Sequence, residues 1–543
     1  MRIRRGSGAA LGLLLAGTLG GCAGGDSANQ PVPDDGLSGC ALDTDCPTGL
    51  ICQAAACVNP DDLLPPDVEA SGHVARPQAS AGRLFTLAPD SDALLVMDPA
   101  TLDIQTVPVA SGPASFAVLP GQAAAVVLSP AARALTRVTL APVAAVSVTR
   151  LARRYAQVVT SPDGRWALLW NPASTDPDAE DDGVVAVVDL EADGAPAYEA
   201  AAGFRLTDVH FVTEAGVATR VAVVGKGSVT HMALSRLAED GYRPQRILLP
   251  PAFAEVIGRE VVAQPGAPVL LMRSLGEAAL AVVDVVSSTV AALPLPARAT
   301  DLDLSPTGDF AVAALRGAGQ VAVLPIPEIL SSTAAMRLFP VSALSPGQVE
   351  VAADGAHAAV FTTADDDEVM GWLDLTQGDL QVVALEKAVA AVAIGPDSSS
   401  ALVVHRPVTS SVADDYERMV DADEGYSLVD LGSGFVQLAR THGAPPQEVV
   451  FGASGRYAAV TVRDDDAGRH RVEAADFMTM VVRSHDLAST PRYAGALPDA
   501  DAVWIIQEHP AGRISVLDPA GDQLRTLTGF QLNAEIVATG GGE

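Results

Sequence analysis

The chain is 543 residues long and 49% hydrophobic, with only 4% aromatic residues, and its 34 basic residues stand against 66 acidic ones for a formal net charge of −32 at pH 7. Such a length admits several domains or one large repeat array. So negative a balance makes nucleic acid and anionic lipid headgroups poor electrostatic partners.

At the N-terminus, Arg2, Arg4 and Arg5 precede an apolar run at residues 9–19, which has signal-peptide length and is too short to span a bilayer. It ends in Leu19, Gly20, Gly21 and Cys22, a sequence that resembles the lipobox of bacterial lipoproteins. That resemblance implies a signal peptide at 1–21, a diacylglycerol on Cys22 and, with Ala23 rather than Asp next, sorting to the outer membrane or cell surface. No later run reaches the roughly 18 uninterrupted apolar residues of a membrane helix, so the lipid on Cys22 is the expected membrane attachment. Cleavage leaves 31 basic against 66 acidic residues, a balance of −35.

The other four cysteines, Cys40, Cys46, Cys52 and Cys57, all fall within residues 40–57. An exported chain meets an oxidising compartment, and the spacing lacks the paired C-x-x-C of zinc ribbons. Two disulfides are therefore expected, with three connectivities open. Residues 22–39 and 58–82, rich in Gly, Ser, Asp and Pro, read as a tether and a linker. The region 83–543 is left as the main domain.

In residues 83–109, short apolar runs at 84–88 and 93–98 flank Pro89, Asp90, Ser91 and Asp92, and a third run at 104–109 follows Asp98 and Pro99. The runs read as strands. Asp98 can accept a backbone N–H two residues on, and Pro99 pre-sets φ for a tight turn. The unit resembles the YVTN-type repeat of bacterial surface-layer-like β-propellers. Arg83-Leu84-Phe85-Thr86-Leu87, Ser91-Asp92 and Val96-Met97-Asp98-Pro99-Ala100-Thr101 carry the match.

From Arg83 onward helical periodicity is nowhere sustained, so the fold class is all-β. Turns at Ser161-Pro162-Asp163-Gly164, Ser305-Pro306-Thr307-Gly308, Ala353-Asp354-Gly355, Gly395-Pro396-Asp397-Ser398 and Gly452-Ala453-Ser454-Gly455 each separate a first from a second strand. An Asp that ends a third strand gives a ruler: Asp98, Asp189, Asp284, Asp374, Asp430 and Asp518 are separated by 91, 95, 90, 56 and 88 residues. With propeller blades of about 40–45 residues, four intervals are two blades and one is a long single blade. The count is ten four-stranded repeats, with first strands near Ala114, Tyr155, Leu206, Glu260, Thr300, Gln348, Val389, Gln447 and Arg492. A single ring of nine or ten blades is the reading, against seven or eight blades or two smaller rings. Because the first unit enters at its second strand, residues 533–538 are expected to supply the missing first strand and close the ring.

In a four-stranded blade, second-to-third-strand loops and inter-blade connections share one face. Acidic residues concentrate there: Asp90 and Asp92; Asp176, Asp178, Glu180, Asp181 and Asp182; Asp365, Asp366, Asp367 and Glu368; Asp414, Asp415, Asp421, Asp423 and Glu424; Asp464, Asp465 and Asp466. They keep an apolar β protein soluble, steer a basic protein, or offer oxygens to Ca²⁺. Asp178, Glu180 and Asp182, with Gly183 next and Asp189 at the twelfth position, are the candidate calcium ligands.

The nine histidines lack metal-ligand spacing, and neither a haem motif nor a G-x-S-x-G elbow is present. On the first strands, which line the channel of a propeller, the polar candidates are Asp208, His210, Asp301 and Asp303, for which structural hydrogen bonding is preferred over catalysis. The function read from the chain is a lipid-anchored binding or scaffold protein of the cell envelope, contacting a protein or surface polysaccharide. The alternative is an exported hydrolase or oxidoreductase with its site in the channel.

Overall fold

The computed structural model describes residues 51–53, 56–58, 76–141, 144–173, 183–256, 259–263, 268–274, 276–330, 333–364, 366–409, 414–465, 467–497 and 500–530. They fall in two units. In the smaller one, strands Ile51–Gln53 and Ala56–Val58 form an antiparallel hairpin in which Cys52 lies opposite Cys57. Cys22, Cys40 and Cys46 lie outside the described residues.

The larger unit is a single ring of ten four-stranded antiparallel blades, each built from consecutive strands in simple order. First strands run at Gln78–Ser80, Ser115–Val118, Gln157–Thr160, Asp208–Glu214, Arg259–Ala263, Asp301–Leu304, Gln348–Val351, Val389–Ile394, Pro446–Phe451 and Pro491–Ala496, and define blades 1 to 10. Nine of them lie where the sequence places them. The first strands of neighbouring blades touch one another and surround the axis, whereas fourth strands such as Ala145–Arg150 are largely exposed.

The punctuation is that of the repeats. In the turns after the first strand, Gly164, Gly308, Gly355 and Gly455 donate to the carbonyl three residues back, and Ser398 does the same. All five hold a positive φ, which suits glycine and strains serine. After the third strand, the Asp ruler caps the next turn: Asp98 accepts from Ala100 N at 2.9 Å, Asp374 from Thr376 N and Gln377 N at 2.7 and 2.8 Å, and Asp430 from Gly432 N at 2.9 Å. These amides hold the Asp98 and Asp374 carboxyls below the usual carboxylate range.

No single core exists. The buried apolar residues form a cluster at every seam between blades, and inner strands feed the clusters on both sides of their blade. In strand Phe310–Leu315, Ala311, Ala313 and Leu315 pack toward blade 5, while Val312 and Ala314 pack toward blade 7. A strand covered on both faces must be apolar at every position, which explains the uninterrupted Val/Ala/Leu runs.

Ring closure differs from the expectation. The first strand of blade 1 is Gln78–Ser80, paired with Arg83–Ala88 through a two-residue turn in which Ala81 and Gly82 both have positive φ. That is the geometry favoured in tight hairpins. The propeller thus takes in residues assigned above to the linker, and blade 1 is complete without strand exchange. The expected closing strand at residues 533–538 lies outside the described residues. Closure is by packing: Leu84, Ala88, Leu95 and Met97 of blade 1 meet Leu497, Trp504, Ile506, Ile514, Val516 and Phe530.

Candidate functional site

The channel candidates divide by blade. Asp208 and His210 lie on the first strand of blade 4, and Asp301 and Asp303 on that of blade 6, with blade 5 between. The two pairs do not form one cluster.

Asp301 and Asp303 have definite partners. The Val349 amide donates to Asp301 Oδ2 at 2.9 Å and the Val351 amide to Asp303 Oδ2 at 3.0 Å. Both donors belong to the first strand of blade 7, whose other edge pairs with the second strand. A first strand has no ladder neighbour on its axial side, and two carboxylates spaced two residues apart match two amides spaced two residues apart. They satisfy donors that would otherwise need water or a ligand. Burial pushes the Asp301 carboxyl above its ordinary value, against the pull of the Val349 amide and the Arg273 charge.

The same device recurs at seams where sequence reading singled out no residue. Gln78 of blade 1 copies a peptide unit, with Nε2 donating to Phe116 O at 3.0 Å and Oε1 accepting from Val118 N at 3.2 Å. Thr160 of blade 3 donates to Val118 O at 2.9 Å. Glu448 of blade 9 accepts from Ala494 N at 3.3 Å and pairs with Arg76 at 2.7 Å. The available signal was a polar residue at alternate positions of otherwise apolar first strands.

The second candidate region is the acidic loop face. Asp178, Glu180 and Asp182 lie outside the described residues, as do Asp176, Asp181, Asp365 and Asp466. Asp189, counted as the twelfth position of the calcium match, is engaged by Arg165 at 2.8 and 3.3 Å and by Glu191 N at 3.1 Å. Among the described residues no group of three His, Cys, Asp or Glu side chains converges to hold a metal.

Blades 7 and 8 build the most elaborate part of this face. The second-to-third-strand loop of blade 8 contains the helix Asp415–Ala422, capped by Asp414, whose side chain accepts from Tyr416 N at 2.8 Å and Glu417 N at 3.0 Å. Its other end is fixed by Lys387, from the connection between blades 7 and 8. Fully buried, Lys387 donates through Nζ to the carbonyls of Val420 and Asp421, the latter at 2.8 Å. An ammonium there satisfies C-terminal carbonyls and meets the negative end of the helix dipole. Burial pulls its pKa down while Asp421, Asp423, Glu424 and Glu368 pull it up.

Carboxylates outnumber cations here. Arg406 pairs with Asp366 at 2.7 Å, Arg418 with Asp415, and Arg440 with Asp423 at 3.6 Å. Among the described residues no cation forms an ion pair with Glu368, Glu386 or Glu417. Burial, with Asp421 and Glu386 next in effect, pushes the Glu368 carboxyl above its usual range. Sequence reading found these loops but missed Lys387, Glu386 and the helix. An eight-residue helix in a loop of mixed composition gives no sustained periodicity.

Fold and site together define a ten-bladed, acidic-faced β-propeller. No family model matches the chain, and no curated protein matches it. Among solved structures it is similar to the hydrazine synthase of Kuenenia stuttgartiensis, at 16% identity over 48% of this chain and 75% of that one, with a TM-score of 0.32. A eukaryotic initiation factor gives 12% identity over 84% and 98%, with a TM-score of 0.46. The dihydro-heme d1 dehydrogenase NirN gives 15% over 78% and 79%, with a TM-score of 0.41. At such identities the likeness concerns the fold alone.

Proposed function

We propose that the chain is a lipid-anchored, surface-layer-like propeller that acts as a binding protein at the cell envelope, using its acidic loop face. The observation that carries this is the excess of carboxylates in the loops of blades 7 and 8, where Asp421, Asp423, Glu424 and Glu368 act on the one buried Lys387 ammonium and Asp421, Glu386 and Glu417 act on Glu368. Asp301 and Asp303, by contrast, already hold backbone amides of blade 7, which supports a structural role for them rather than channel chemistry. A rigid disk with one electrostatically distinct face suits steering and capture of a cationic partner.

A photo-cross-linking residue placed at Glu386 on the acidic face, and another at Val146 on the exposed fourth strand of blade 2, tests this in intact cells. Adducts from position 386 that disappear at high salt are expected, with none from position 146. Equal adducts from both, or none from 386, would reject the reading. Attachment through Cys22 predicts that Cys22→Ser releases the protein from membranes. Two bridges among Cys40, Cys46, Cys52 and Cys57 predict no free thiol there in exported protein. A calcium site at Asp178, Glu180 and Asp182 predicts a melting rise with Ca²⁺ that Asp178→Asn abolishes.

A further inference from the structure

Arg76, the first described residue of the propeller, does not stay with its own blade. It reaches across blade 10 to blade 9, where Nη2 donates to Glu448 Oε2 at 2.7 Å and to the Ala494 carbonyl at 3.4 Å. Its guanidinium carbon lies 5.6 Å from the centre of the Tyr493 ring. The receiving groups are held independently of Arg76. Glu448 Oε2 also accepts from Ala494 N at 3.3 Å, so blade 10 orients the carboxylate. The ladder register shifts between Pro446 and Glu448 in blade 9, and blade 10 repeats the shift between Pro491 and Tyr493. Such bulges re-aim side chains, and two equivalent ones in adjacent blades bring a carboxylate and an aromatic ring to one guanidinium. The Glu448 side chain is 16% exposed, whereas that of Arg76 is 54% exposed. A fixed receptor thus carries an occupant that solvent can reach.

We infer that this place is an arginine seat, filled in the resting chain by Arg76, and that the cationic partner of the acidic face displaces Arg76 with an arginine of its own. The inference rests on the binding function proposed above and names the group recognised. First strands begin on the face of the second-to-third-strand loops, so the seat opens at the channel mouth on that face. Three features select arginine: the carboxylate takes the charge, the carbonyl takes a further N–H, and the ring takes the flat side. A planar guanidinium meets all three at once, which the compact ammonium of lysine does not. Tyr493 already holds a second guanidinium, that of Arg492, at 5.5 Å. Exchange of one arginine for another never leaves Glu448 bare, so it avoids the cost of an unpaired carboxylate in a largely buried place. Arg76 competes from within the chain at an effective concentration on the order of millimolar. Removing it should therefore unmask the seat.

The test titrates the purified protein with N-acetyl-arginine methylamide in a calorimeter, with the lysine analogue as control. Arg76→Ala should bind the arginine probe at least tenfold more tightly than the parent does, should prefer it to the lysine probe, and should melt higher in its presence. Adding Glu448→Gln should abolish these effects. Arg76→Lys, which keeps a cation on Glu448, should bind the arginine probe more tightly than the parent, and it decides the matter if alanine at 76 does not fold. Affinity no higher than the parent's in either variant, equal binding of the two probes, or binding that survives Glu448→Gln would overturn the seat, whatever cross-linking from position 386 shows. Probe binding as expected, with no adducts from position 386, would keep the seat and reject the acidic-face function together with the displacement.

Discussion

Arg525 of blade 10 donates to the Pro99 carbonyl of blade 1 at 2.9 Å, and to the neighbouring Ala100 carbonyl at 2.8 Å, across the seam that closes the ring. With Phe530 buried in the same seam, the ring is joined by side chains rather than by a strand borrowed from the other terminus. A chain ending after Phe530 should therefore melt like the full chain. Phe530→Ala should cost about 3–5 kcal/mol, the usual cost of emptying an aromatic site in a core. Deleting the chain through Ser80, which strips blade 1 of its first strand, should lower the melting temperature clearly. Scanning calorimetry of the three variants checks this, and destabilisation by the C-terminal deletion alone would restore closure by residues 533–538.

Asp301 ties blade 6 to blade 7 through the Val349 amide. Asp301→Ala should cost about 1–3 kcal/mol, because it leaves that donor without its acceptor. Asp301→Asn keeps an oxygen for it and removes an ionisation that burial disfavours. Since the folded pKa is raised above the unfolded value, the folded protein keeps a proton that the unfolded chain releases. Its contribution to stability is full below the unfolded Asp value of about 3.9 and is lost as pH rises through the folded pKa. Asp301→Asn should thus be as stable as the parent or more so at neutral pH, with a flatter dependence above pH 4 in urea melts.

His405 lies fully inside blade 8, with Nε2 2.7 Å from Ser427 Oγ, and burial lowers its pKa to about 4. The sign is opposite to that of Asp301. As pH falls from about 6.5 toward 4, the unfolded chain takes up a proton that the folded chain refuses, and stability drops by about 3 kcal/mol on the scale of 1.36 kcal/mol per pKa unit. His405→Gln should remove most of that acid sensitivity, whatever its own cost at neutral pH. Denaturant midpoints at pH 7 and pH 4.5 measure the difference.

Lys387→Met replaces a buried ammonium by an apolar stem. The Val420 and Asp421 carbonyls lose their donor, so hydrogen exchange in residues 415–422 should accelerate by an order of magnitude or more while the blade strands stay protected. Uniform acceleration across blade 8 would show that Lys387 supports the whole blade rather than the helix.

What was legible in the sequence was whatever the repeat imposes locally. The six Asp residues that end third strands gave the spacing from which the blades were counted because each side chain caps the following turn, and the glycine turns marked first hairpins for the same local reason. Gln78–Ser80 was not legible: a three-residue polar strand owes its pairing to Arg83–Ala88 and its side-chain contacts to blade 2, neither of which shows in its composition. The roles of Asp301 and Asp303 could be anticipated as hydrogen bonding, but their partners sit 48 residues away. Nothing in the sequence around Lys387 signals that its ammonium meets the Val420 and Asp421 carbonyls, which lie more than thirty residues on.

Because every blade is woven from one unbroken stretch of chain, the gene can be edited at the granularity of the fold. Copying a segment that spans four strands inserts a finished spoke whose two flanks already match its neighbours, as the alternate residues of Phe310–Leu315 match blades 5 and 7. No existing spoke is cut in two and no terminal strand must be re-registered, since the described ends of the ring meet through side chains. A wheel closed in this way can gain spokes by tandem duplication, a route by which ten can arise from fewer.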